Sequence, residues 1–237
     1  MYKKLLISSC ILAAMQVSAE PIKGEAELGL VMTTGNSATE NLNTKLKLTK
    51  TSGEWLHEAN VGALSSSNED QTTGEDETTA EKYFVNYKAD RTLDEHSYLY
   101  GITTYEDDRF SGFEYQATAG VGYGYKVLSE EDKTLSVEVG PGYRINSIEG
   151  ASNENELTLR VGEKFSWKFS ENAELNQYLT VEGGEDNTIS NLGVGIKSML
   201  NGTLSLRVGI DVKHTENPVG DKDDIDTETY ATIGYNF

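Results

Sequence analysis

The sequence predicts an all-β chain that closes into a transmembrane, antiparallel, up-and-down β-barrel of about twelve strands. Three observations carry that expectation. Apolar and polar residues alternate with period two from one end of the chain to the other, which places them on opposite faces of strands. No run after residue 20 approaches the roughly 20 apolar residues that a spanning helix needs. The connections between alternating segments are short at one end and often longer and acidic at the other, the organisation of a barrel that crosses a membrane.

The first nineteen residues are of another kind. Lys3 and Lys4 precede an apolar run from Leu5 to about Val17, and Val17-Ser18-Ala19 supplies small residues before Glu20. That is the pattern of a secretory signal peptide, which leaves residues 20–237 as a single domain. Cys10, the only cysteine, falls inside the leader, so the mature chain holds neither disulfides nor thiolate metal sites. Losing Lys3 and Lys4 leaves 18 basic against 39 acidic residues, a charge of −21. Such a chain repels nucleic acid.

The alternation divides the mature chain into strands at 24–34, 41–51, 55–66, 80–91, 97–106, 113–128, 134–147, 156–168, 174–183, 189–199, 203–214 and 227–237. In the sixth, FEYQATAGVGYGYKV, every second residue from Phe113 to Val127 is apolar or aromatic. The seventh shows Leu135, Val137, Val139, Tyr143 and Ile145 on one face, and the eighth shows Leu157, Leu159, Val161, Phe165 and Trp167. The eleventh shows Leu204, Leu206, Val208, Ile210 and Val212; the twelfth closes with Ala231, Ile233, Tyr235 and Phe237. Short connections such as Ser52-Gly53-Glu54 and Leu200-Asn201-Gly202 mark the end where both termini lie. The long connections, 67–79, 147–155 and 215–226, mark the other.

Depth distinguishes lipid from a protein core. Tyr115 to Tyr125 spans about 33 Å along a strand, or about 25 Å of membrane after a tilt near 40°, with Ala and Val between the aromatic ends. Trp55, Tyr98, Tyr100, Phe113, Tyr115, Tyr123, Tyr125, Trp167 and Tyr235 are therefore expected in aromatic girdles at the headgroups, with Phe237 beside them and Tyr83 toward the opposite rim. Glu163 and Gln177 fall on the predicted outward face, where a bulge or register shift is expected to turn them away from lipid.

The inward face is expected to carry charges of both signs: Glu114, Lys126, Glu138, Arg144, Arg160, Lys164, Arg207, Asp211 and Lys213. Gly120, Gly122 and Gly124 on that face leave room for close approach from other strands. Mixed charges in a twelve-stranded barrel, between filled eight-stranded barrels and open porins, point to ion pairs that narrow the lumen. No catalytic, cofactor or metal residue is assigned. His57, His96 and His214 lie on separated segments, and neither His57 nor His214 has a serine two residues on. Asp221, Asp223, Asp224 and Asp226 of DKDDID lack the glycine of an EF-hand loop, which leaves weak divalent-cation binding at exposed acidic loops as the expectation.

The residues TGNS at 34–37, YEDDRFSGFEYQATAGVGYGYK at 105–126, VGPGYR at 139–144 and the closing TYATIGYNF resemble the salt-induced outer-membrane protein family, YdiY-like, defined as a domain of unknown function. The resemblance covers essentially the whole mature chain. It implies one barrel in the outer membrane of a Gram-negative bacterium, a link to salt, and no assigned reaction. The terminal Ile233, Tyr235 and Phe237 resemble the signal read by the barrel-assembly machinery; lipid and lipopolysaccharide are the other expected partners. The functional expectation is a non-enzymatic barrel with a narrow charged lumen, associated with salt or envelope stress. A small-solute or ion channel and a soluble periplasmic barrel that binds an apolar ligand are the alternatives.

Overall fold

The computed structural model describes residues 21–34, 40–69, 76–109, 111–148 and 153–237. The leader with Cys10, residues 35–37 of the TGNS stretch and most of the acidic loop after residue 69 lie outside them. Twelve strands form one closed ring: β1 (Lys23–Thr34), β2 (Glu40–Ser52), β3 (Trp55–Glu69), β4 (Asp76–Thr92), β5 (Ser97–Asp108), β6 (Phe113–Ser129), β7 (Lys133–Ile148), β8 (Glu154–Lys168), β9 (Ala173–Gly183), β10 (Thr188–Met199), β11 (Leu204–Thr215) and β12 (Ile225–Asn236). Each strand pairs with its sequence neighbours, and β12 returns to β1 from Glu25↔Asn236 to Thr34↔Thr227. Full closure leaves no unpaired edge.

The last residue completes the ring. Gly24 N–H donates to Phe237 O at 2.7 Å and Phe237 N–H donates to Gly24 O at 2.9 Å, while the Phe237 ring covers Gly24. Ile233, Tyr235 and Phe237 all point outward, each more than half exposed.

Packing is inside out relative to a water-soluble protein. The most deeply buried side chains are Arg144, Asn146, Thr232 and Ser205, whereas Val121, Val139, Leu159, Val208 and Ile233 are exposed on the outer wall. Burial of apolar surface against apolar surface therefore does not hold this barrel together. Its cohesion comes from the continuous hydrogen-bond ladder and from the polar contacts inside.

The strands match the alternating segments to within two residues at each end, apart from two longer extensions. β3 runs to Glu69 and β4 begins at Asp76, beyond the expected 66 and 80, with a register shift between Ser66 and Ser67. Apolar alternation stops where the apolar wall stops, but backbone pairing needs no apolar face and continues into the polar rim.

Tyr98, Tyr100 and Phe113 are not girdle residues. Tyr98 and Tyr100 are 6% and 4% exposed and point into the barrel, so the outward face of β5 belongs to Leu99 and Tyr105. The cause lies next door. Tyr98 pairs with Gly124 and Tyr100 with Gly122, and a β-carbon on either glycine would overlap the facing ring. The glycine stripe on β6 is the seat of two β5 tyrosines. Phe113 is turned by a bulge at Glu114, where Phe113 pairs with Ile148 but Tyr115 already pairs with Ser147; its ring is 6% exposed.

The expected irregularity at Glu163 and Gln177 is absent. The β8–β9 ladder runs unbroken through Glu163↔Leu179 and Phe165↔Gln177, so both polar side chains remain on the outer wall. There Gln177 Nε2 donates to Glu163 Oε2 at 2.7 Å.

The other expected girdle residues, Trp55, Tyr123, Tyr125, Trp167 and Tyr235, are outward and exposed, and Tyr115 stacks on Tyr105 at 5.6 Å. Trp55, His57 and Tyr87 form a stacked row on the same wall, with His57 Nδ1 and Tyr87 Oη 2.8 Å apart.

Candidate functional site

The lumen is the place where charged side chains converge. Near the long-loop end, Lys213 from β11 donates to Glu106 of β5 at 2.7 Å and to Gln116 Oε1 of β6 at 3.1 Å. Lys82 of β4 reaches the other Glu106 oxygen at 3.2 Å. β5 and β11 stand opposite each other in the ring, so this contact is a bar across the lumen. Toward the short-turn end a second bar runs from Lys164 of β8 to Glu58 of β3 at 3.8 Å; Lys47 of β2 also holds Glu58, at 3.2 Å.

Glu138 is a hub between the bars. It accepts from Lys88 at 2.6 Å, from Arg160 at 2.9 Å and from the Tyr98 hydroxyl at 2.8 Å. Arg160 also meets Glu182 at 3.4 Å and lies over the Tyr100 ring. Inward burial of Tyr98 and Tyr100 thus seats this hub as well as filling space. Elsewhere Lys45 sits 3.9 Å from Asp211 and 3.7 Å from Glu228, and Tyr178 donates to Asp211 at 3.1 Å. At the closing seam Arg207 meets Glu25 at 3.5 Å and Glu27 at 3.4 Å, with Lys197 also on Glu25.

Under the long loops lies the most buried pair. Arg144 donates to Glu156 Oε1 at 2.6 Å and to the carbonyl of Asn187 at 2.5 Å. Glu156 Oε2 accepts from the backbone N–H of Asp186 at 3.0 Å, and Asn187 Nδ2 donates to Asn217 O at 2.7 Å. Two connecting loops are pinned inward by one guanidinium–carboxylate pair.

With Lys88–Asp90 at 2.7 Å added, ten cations and ten carboxylates among the described residues meet in inward pairs. The paired lumen is neutral, and the chain's formal charge of −19 belongs to groups outside those pairs. Between and around the bars is a cavity of about 570 Å³, lined by Asn43, Asn60, Asn86, Asn191, Tyr178 and Tyr230 together with the charges.

Of the lumen charges expected from sequence, Glu138, Arg144, Arg160, Lys164, Arg207, Asp211 and Lys213 enter this network. Glu114 does not. It is exposed in the β6 bulge at the rim and accepts from Ser147 at 3.1 Å. Lys126 lies at the short-turn end beside a second bulge, opposite Ser136. Sequence reasoning missed Glu58, Lys82, Glu106 and Glu25. Each was readable as the inward residue of its strand, but nothing local to it named its partner.

His57 is outward, His96 stacks on Tyr125 in a turn, and His214 is 3.9 Å from Asp224, so the three histidines occupy separate places. Among the described residues no three His, Cys, Asp or Glu side chains converge in a way that could hold a metal ion.

A family model described as "Protein of unknown function, DUF481" matches residues 26–237. The uncharacterized protein YdiY of Escherichia coli (strain K12) is 24% identical over 218 residues, covering 92% of this chain and 84% of that protein. In fold, the chain is similar to a NanC porin, with a TM-score of 0.59 at 8% identity over 89% of this chain and 98% of the porin. It is also similar to the translocator domain of the autotransporter NalP from Neisseria meningitidis, with a TM-score of 0.55 at 15% identity over 90% of this chain and 88% of that domain.

Proposed function

The chain belongs to the DUF481 family, and on that premise we propose that it is a non-enzymatic barrel of the Gram-negative outer membrane whose lumen is held nearly shut by ion pairs and loosens with salt. The observation that carries this reading is the pair of bars, Lys213–Glu106 and Lys164–Glu58, each joining strands five or six places apart around the ring. A lumen for free passage of one ion sign would carry an excess of the opposite charge. Here the charges in the ion pairs are balanced and spent on each other.

Screening supplies the salt response. The Debye length falls from about 8 Å at physiological ionic strength to about 3 Å at 1 M, and it acts on water-accessible pairs first. Lys164 is 60% exposed and 3.8 Å from its partner, against 19% and 2.7 Å for Lys213. The lower bar therefore yields before the upper one.

Planar-bilayer recording tests the reading. Wild-type barrel is expected to stay silent near 0.15 M KCl and to show openings at 1 M that exceed the rise in bulk conductivity. Lys164→Met and Lys213→Met together are expected to open it at low salt. A steady wild-type conductance at low salt would overturn the closed state and favour a small-solute or ion channel, a reading that the 570 Å³ cavity supports. Recovery of the protein without detergent would sink the membrane assignment.

A further inference from the structure

The outer wall carries a carboxylate where the proposed setting offers no water. Glu163 stands four residues above Trp167 on β8, about 13 Å along the strand and about 10 Å in height after a 40° tilt, which places it within the apolar band. Val161 on one side of it and Leu179 opposite it are exposed to the outside, as is Leu159 beyond. At comparable heights β11 presents Leu206, Val208 and Ile210. A carboxylate in hydrocarbon is destabilising unless hydrogen bonds replace its lost hydration.

Gln177 supplies one such bond, Nε2 to Glu163 Oε2 at 2.7 Å. The bond leaves Glu163 Oε1 as an acceptor and the second amide proton of Gln177 as a donor. We propose that the β8–β9 wall around Glu163 and Gln177 is the contact between two copies of this chain, related by a two-fold axis along the membrane normal. The proposal rests on the membrane reading above.

The two side chains lie on adjacent strands, in diagonal positions of the ladder. An axis through the seam between those strands puts Glu163 of one copy opposite Gln177 of the other. Each carboxylate then accepts from its own glutamine and from its neighbour's, in a closed four-membered ring of bonds. The leftover carboxylate oxygen and amide proton of one copy are the complement of those of an identical copy, as an isologous contact requires, while Gln177 Oε1 stays outside the ring. β9 is a short strand of 11 residues whose pairing with β8 ends at Leu159↔Gly183, so Leu157 above it is 78% exposed. A second copy seated on the seam covers that side chain too.

Cysteine cross-linking in isolated outer membranes tests this. Cys10 is the chain's only cysteine and lies in the predicted leader, so an introduced cysteine reports alone. Leu179→Cys is expected to give an oxidant-induced species of twice the mass on a non-reducing gel. Val61→Cys, outward on β3 across the barrel, is expected to give none. Adding Glu163→Leu to Leu179→Cys should cut the dimer yield about tenfold, while the heat-modifiable gel mobility of a folded barrel persists. Absence of a Leu179→Cys dimer, equal cross-linking through Val61→Cys, or an undiminished yield with Glu163→Leu overturns the proposal. Absence of the protein from the membrane fraction would instead overturn the reading on which it rests.

Discussion

Replacing Glu106 by Gln keeps the shape of the side chain and removes one charge from the upper bar. In the native barrel this carboxylate faces two ammonium groups, Lys213 at 2.7 Å and Lys82 at 3.2 Å, and all three side chains are only about a fifth to a quarter exposed. After Glu106→Gln both lysines face a neutral amide and each other. Removing one member of a buried pair costs about 3–5 kcal/mol, and exposed pairs contribute about 0–1 kcal/mol; partial access to the lumen puts this site between, at about 2–3 kcal/mol. Reversible urea unfolding of the barrel in lipid vesicles reads that loss as a midpoint lower by about 1 M for a slope near 2 kcal/mol/M. The partner completes the test. Because Lys213 is mismatched only while the charge at position 106 is missing, Glu106→Gln with Lys213→Met should cost less than the two single changes added, by more than about 0.5 kcal/mol. A Glu106→Gln midpoint within error of wild type, or strict additivity, would refute the reasoning that the bar contributes to cohesion.

Gly124→Ala puts a methyl group into the Tyr98 ring and should destabilise the barrel by about 1–3 kcal/mol in the same unfolding assay, with Tyr98→Ala relieving part of the loss. Arg144→Met leaves Glu156 buried and unpaired at 5% exposure, so a lower thermal midpoint corresponding to about 3–5 kcal/mol is expected, and Glu156→Leu added to it should restore most of that. Deleting Phe237 removes two backbone hydrogen bonds and a ring from the closing seam; the amount of heat-modifiable barrel in the membrane should fall several-fold, and an unchanged amount would argue against a role in assembly.

The sequence by itself determined the strands, their up-and-down order and the outward face of most of them. A wall that meets one medium outside and another inside imposes period two on every strand, and that signal is local enough to read from Leu157, Leu159 and Val161 without any neighbour. The fate of Tyr98 and Tyr100 was not local. An aromatic ring at a strand end suits a headgroup girdle and a glycine-lined interior equally well, and only the pairing of β5 with Gly122 and Gly124 chose the interior. Phe113 depended on one extra residue in the ladder, which changes the facing of everything beyond it. The partners inside the lumen lay further out of reach. Which carboxylate Lys213 meets is set by the tilt and stagger with which twelve strands close, and its partner Glu106 is 107 residues away in the chain. Alternation decides which side chains share the interior, whereas closure decides which of them touch.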